Sequence, residues 1–329
     1  MSKKIILVAI AIILTACASQ PAAQGTNIVL PKATYTTAPT LATSPTTEPP
    51  TPVTPVALAD ILGTLSYAGL FPDKQIALTD GIAYYEDGGS GHPFVRLIDH
   101  LLATGDLNGD GAEDAVALLV DYSTGSGDFV YLAPVINVLS DPKPLDSLMI
   151  GDRTPVKSLT IKDEQVIVEQ IAHGPDDPAC CPTWNVRKVF NLEDDRLVEQ
   201  SSEELSKVSL DDLYGTSWRL LDLNSDQEPV LPETEITLRF DDSRISGSAG
   251  CNNYTSSVTG AEDLPQTFVV GPIAATKVLC SDPVSNQEKT YLDRLARVVA
   301  WRYDFGYLAL TYKQGEDVLG ELLFAPQTP

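Results

Sequence analysis

Apolar residues in this chain recur at every second position, in short runs, and almost nowhere at helical spacing. Gln75–Leu78, Ala115–Val120, Val130–Val138, Val156–Ile161, Gln165–Ile171 and Val186–Leu192 all carry alternating or β-branched residues. Turn signals such as Asp87-Gly88-Gly89, Gly125-Ser126-Gly127 and Asp141-Pro142 separate them. Runs of this kind read as antiparallel strands with one face in a core. Thr216–Leu223, Glu235–Phe240, Arg244–Ser248, Gly306–Thr311 and Leu319–Phe324 repeat the habit further on. Two segments depart from it. Leu58–Leu65 suits a short helix, and in Asn286–Val299 the residues Tyr291, Leu292, Leu295, Val298 and Val299 recur at helical spacing. Ser285, followed three residues later by Glu288, reads there as a capping box. The fold class expected is mainly β, with two small antiparallel β-rich domains at 57–202 and 207–329, the second carrying one packed helix.

The first 56 residues have a different character. Lys3 and Lys4 precede the uncharged apolar stretch Ile5–Ala16. A membrane-spanning helix needs ~20 apolar residues, so this stretch is too short to span and matches the apolar region of a secretory signal. It closes on Leu14-Thr15-Ala16-Cys17, which resembles the lipobox of bacterial lipoproteins. The resemblance implies a signal peptide at 1–16, cleavage before Cys17 and a lipidated Cys17. Two or more acyl chains anchor stably where one does not, so the expected location is the extracytoplasmic face of a cell membrane or envelope. Residues 17–56 are dense in Thr, Pro, Ala and Ser and hold only Lys32 and Glu48 as charges. Such a composition cannot fill a core and reads as a disordered, extended linker.

Formal net charge is −23, from 45 acidic and 22 basic residues. With the linker neutral, the excess falls on the folded region. An acidic surface repels nucleic acid, whose binding needs phosphate-neutralising Lys and Arg, and it repels anionic headgroups. The expected partners are therefore the membrane, through the lipid anchor, and an unidentified envelope protein or ligand, with no nucleic acid. Of five cysteines, Cys17 belongs to the lipid. Cys180, Cys181, Cys251 and Cys280 remain, an even number that suits an oxidising compartment and allows three pairings. Cys251–Cys280 is favoured because it keeps the bridge inside one domain. The adjacent Cys180 and Cys181 read as a strained vicinal disulfide, free thiols or a ligand pair, and no His or third Cys stands at zinc-site spacing.

The second domain resembles the META domain family (HslJ-like). The residues that carry the match are Leu213-Tyr214-Gly215-Thr216-Ser217-Trp218-Arg219-Leu220, Ile236-Thr237-Leu238-Arg239-Phe240, Ile245-Ser246-Gly247-Ser248-Ala249-Gly250-Cys251-Asn252-Asn253-Tyr254 and Ala275-Thr276-Lys277-Val278-Leu279-Cys280, followed by the helix with Glu288, Tyr291 and Leu292. The resemblance implies a lipocalin-like antiparallel β structure and no settled activity, with loose links to envelope stress. Gly247 and Gly250 suit a tight bend or positive φ. Trp218 suits a core, and Asn252 a turn. A binding role for Asn252, Asn253 and Tyr254 is the functional alternative.

The first domain holds Asp106-Leu107-Asn108-Gly109-Asp110-Gly111-Ala112-Glu113-Asp114. Calcium takes six to eight hard oxygens. Asp106, Asn108, Asp110 and Asp114 would supply side-chain oxygens and Ala112 its carbonyl. The pattern is similar to the calcium loops of EF-hands and FG-GAP repeats. Position 12 is Ala117 rather than Glu, and a strand follows, so the FG-GAP-like form fits better. Residues 57–200 also resemble, loosely, an uncharacterised domain of exported bacterial proteins. Calcium is the one cofactor expected.

No Gly-x-Ser-x-Gly, His-Glu-x-x-His or phosphate loop occurs. The three histidines, His92, His100 and His173, stand in no catalytic motif. The reading is a non-enzymatic binding, structural or envelope-stress lipoprotein with no catalytic residue. A calcium-stabilised adhesion or carbohydrate-contact module is the alternative, and a hydrolase comes third.

Overall fold

Why the period-two runs become a layered β structure is clearest at Asp114–Asp121, buried at every position. A strand covered on both faces reads as a continuous apolar run, and this one is the middle of a seven-stranded sheet. It pairs with Phe129–Val138 on one side and with Pro93–Leu97 and Ala103–Gly105 on the other. Val116, Leu118 and Val120 point into one core with Val166, Val168 and Phe190. Ala115, Ala117 and Leu119 point into a second core with Leu62 and Tyr67. The structure, a computed structural model, describes residues 57–84, 93–122, 127–138, 141–178, 182–224, 228–261, 264–315 and 318–327. Cys17, the linker and the Cys180-Cys181 pair lie outside the described residues.

The second core is capped by the short helix Leu58–Ile61, continued as a 3-10 turn at Leu62–Thr64, and by the hairpin Ser66–Phe71 with Lys74–Ala77. The first core is covered by a four-stranded meander, Val156–Lys162, Gln165–Ala172, Trp184–Glu193 and Arg196–Lys207. Its tight turns place Asp163-Glu164 and Asp194-Asp195 at positive φ, the geometry that two-residue hairpin loops require. The last strand of the meander is exposed at all but one position. It runs through residue 202, where the first domain was expected to end, and its ladder with Trp184–Glu193 stops only at Lys207.

From Ser217 a nine-stranded sheet winds into a barrel-like wall. Its two end strands, Leu264–Val270 and Val298–Asp304, lie against each other, and no hydrogen-bonded ladder joins them among the described residues. Inside are Trp218, Phe240, Phe268, Trp301 and Phe324. One helix, Asp282–Leu295, buries Tyr291 and Leu295 against this core. It starts earlier than the capping-box reading placed it. Ser281 is the N-cap, Pro283 stands in the first turn, and Ser285 lies inside the helix. Proline fits the first turn because its missing N–H has no intrahelical acceptor there. Val298 and Val299 belong to the following strand. Gly250 takes φ +95°, as expected. Gly247 instead is needed for space, since a Cβ would lie 2.0 Å from the Thr237 carbonyl oxygen.

The two halves are joined by polar as well as apolar contacts and fall in one compact unit. Asp212 accepts from Asn185 Nδ2 at 2.9 Å and pairs with Lys157 Nζ at 3.7 Å. The Lys157 ammonium also sits 4.8 Å from the Tyr303 ring centroid. His100 stacks on Tyr307, with centroids 3.7 Å apart, and its Nε2 donates to the Phe305 carbonyl at 2.7 Å.

Candidate functional site

Three places gather polar chemistry. In the Asp106–Asp114 loop, the carboxylates turn inward onto backbone N–H groups. Asp106 accepts from Gly109 N at 2.7 Å and Gly111 N at 2.9 Å. Asn108 Oδ1 accepts from Asp110 N, and Asp110 Oδ1 accepts from Ala112 N. Asp114 is 0% exposed. One of its oxygens accepts from Leu107 N and the other from Asn137 N, both at 2.9 Å. Asp114 therefore ties the loop to the neighbouring strand, and both its oxygens are engaged before any ion is considered. Among the described residues no group of three or more His, Cys, Asp or Glu is arranged to hold a metal.

The second place is the Cys251–Tyr254 segment of the barrel. Cys251 and Cys280 are bonded, with Cα atoms 6.2 Å apart. Asn252, buried, donates from Nδ2 to Glu288 Oε1 at 3.0 Å and to the Val278 carbonyl at 3.2 Å. Its Oδ1 accepts from Thr276 Oγ1 at 2.8 Å and Val278 N at 2.7 Å. Its backbone N donates to Glu288 Oε2 at 2.7 Å. Glu288 thus fastens this loop instead of capping its own helix. Tyr254 is buried too. Its hydroxyl lies 2.7 Å from that of Tyr291 and donates to the Thr237 carbonyl at 2.9 Å. Burial pushes both phenols well above the usual tyrosine range. Of the three candidate binding residues, Asn252 and Tyr254 have their polar atoms engaged inside the fold, and only Asn253 is exposed. The same scaffold holds Leu279 98% exposed, beside a largely exposed Val278.

The third place is a cleft of about 480 Å³ at the junction of the two halves. Tyr122, Asp128 and Arg153 line it from one side, Gln266, Arg302 and Asp304 from the other. Burial, then the charges of Asp152 and Asp304, hold the Asp128 carboxyl above the usual carboxylate range, and Arg153 pulls it back. Burial and Asp128 likewise raise the Tyr122 phenol. Planar donors and acceptors beside aromatic rings suit hydrogen bonding to a polar guest. No Ser, Cys or His lines this cleft among the described residues. His100 is held against Tyr307, His173 stands elsewhere, and His92 lies outside the described residues. No motif marks this cleft in the chain, because its residues come from segments far apart in sequence.

Comparison with known proteins bears on the barrel half. Residues 211–321 match the model of the META domain, and the chain carries that domain there. A solved NMR structure of a protein from Burkholderia xenovorans is similar at 22% identity, over 40% of this chain and 97% of that one, with a TM-score of 0.30. No curated protein matches the chain.

Proposed function

With a META domain at residues 211–321 as the premise, we propose that this protein is a lipid-anchored lipoprotein of the extracytoplasmic face. In this reading it holds a rigid, non-enzymatic β unit away from the membrane on the 17–56 linker. The observation that carries the reading is Leu14-Thr15-Ala16-Cys17 at the end of an uncharged apolar stretch. The Cys251–Cys280 bridge supports it, since such bridges persist in oxidising compartments. The acidic folded region supports it too, because charge of this sign keeps the unit off anionic headgroups and leaves attachment to the acyl chains. A binding or structural part in the envelope, including under envelope stress, suits a unit whose junction cleft offers hydrogen-bonding groups and, among the described residues, no Ser, Cys or His.

Mass spectrometry of the mature N-terminal peptide tests the anchor. The expected result is a diacylglyceryl-modified Cys17 as first residue. Detergent-phase partitioning should be lost in Cys17→Ser. An unmodified N-terminus, or a Cys17→Ser protein that still partitions with detergent, would overturn the reading.

A further inference from the structure

Gln170 is the most deeply buried polar side chain without a full set of partners that also meets a cavity. It is 1% exposed, and its Oε1 has no hydrogen-bond partner. Buried polar atoms are paired in the great majority of cases, so an exception calls for an explanation. Gln170 lies on the strand Gln165–Ala172, on the same face as Val166 and Val168, which fill the core between the meander and the seven-stranded sheet. At that end the layers part into a recess of about 480 Å³, a size within the ~300–1,000 Å³ typical of small-molecule sites.

The recess is built by constrained backbone. Gly151 lies so close to Thr154 that a Cβ there would stand 2.3 Å from Thr154 Oγ1. Arg153 has φ +50°, a conformation that side-chain-bearing residues rarely adopt and that clusters at functional sites. The result sets the buried Thr154 and the ion-paired Asp152 and Arg153, 2.5 Å apart, into the wall. Lys188, paired with Glu199 at 3.0 Å, His173, and Asp177, whose carboxylate accepts from Gly174 N and Thr183 Oγ1, also line it.

The charges name the guest by class. Each cation in the wall already has a carboxylate, so the recess offers no net positive field for a phosphate or polyanion. It offers planar groups instead. A carboxamide carries a donor and an acceptor side by side, whichever way it is turned, and the Asp152–Arg153 pair presents the same alternation. A vicinal diol, in which each hydroxyl both donates and accepts, matches that pattern. A trans secondary amide, whose N–H and C=O point apart, does not.

We propose that this recess binds a neutral saccharide, with Gln170 gripping two adjacent hydroxyls from its floor. The proposal goes beyond the lipid-anchor reading and does not depend on it. The test uses the full chain in detergent, with saturation-transfer NMR and calorimetry. The probes are glucose, galactose, maltose and N-acetylglucosamine, with N-methylacetamide and sodium acetate as the trans-amide and carboxylate arms. The expected result is saturation transfer to ring protons of at least one sugar and none to the two small controls. Gln170→Met keeps the size and shape of the side chain, and should weaken that sugar at least tenfold while leaving the melting temperature equal or higher. Lys188→Gln, outside the core, should weaken it several-fold in a protein of unchanged melting behaviour. No transfer to any of the sugars would overturn the proposal. Sugar affinity unchanged in both variants, or transfer to acetate or N-methylacetamide in place of the sugars, would overturn it as well.

Discussion

The Asp106–Asp114 loop of the first half and the Gly250–Tyr254 loop of the barrel look alike as sequence. Both are short and glycine-bearing, and both are crowded with Asp or Asn. Folded, they do different work. The first is closed mainly by its own backbone N–H groups, with a single long-range tie from Asp114 to Asn137. The second is closed from outside, by Glu288 from the helix, by Thr276 and Val278 from the facing segment, and by a disulfide. Polar residues at fixed spacing encode a turn as readily as a site. Which one they encode depends on where the side-chain oxygens point, and that is a property of the fold.

Asp114 gives the strongest way to test the contrast. Asp114→Ala leaves two N–H groups without acceptors, each at ~1–3 kcal/mol when buried. The expected loss, by denaturant unfolding, is roughly 1–4 kcal/mol, since the Asn137 N–H is only part-buried and can be partly solvated, and it should appear in chelator as fully as in calcium. A loss seen only in calcium would mean that an ion, and not the loop's own hydrogen bonds, holds it shut. Removing the barrel's tie by the double change Cys251→Ser, Cys280→Ser frees a loop with a sequence separation of 29. On the chain-entropy account this should lower stability by about 3–4 kcal/mol. The smallest expected effect is at the junction. The Asp128 carboxyl sits above its usual range, so its contribution favours the fold at low pH and is lost as pH rises through the folded-state value. Asp128→Asn should therefore stabilise the protein at pH 7, by less than about 1 kcal/mol because the group is half exposed. That advantage should shrink as pH falls toward 4. Thermal melts across that range would check the sign.

Many strands with an apolar face were readable because burial imposes the two-residue period, although Ser66–Phe71, Asn253–Ala261 and Leu264–Val270 were not among those read. Arg196–Lys207 was not. It gains its ladder from one neighbour and shows nearly every side chain to water, so its Glu and Ser residues carry no alternation. The helix was readable from Tyr291, Leu292 and Leu295, but its start was misplaced. Ser285 and Glu288 have capping-box spacing, and only the fold shows Glu288 reaching Asn252 instead. The bridge was readable from the count of cysteines and the economy of pairing within one domain. The junction cleft and the Gln170 recess were not readable, because each is assembled from residues that meet only when separate layers pack.

That poorly legible strand has a bearing on crowding. An edge strand is a template on which another copy can continue the sheet. Molecules tethered to one surface, as proposed here, meet in two dimensions and in a common orientation, so identical edges face each other far more often than they would in free solution. A border carrying Glu199, Glu203 and Glu204 makes every such meeting one of like charges. On the proposed anchoring, the strand with the least to contribute to the core would be the one that lets many copies share a membrane as separate molecules.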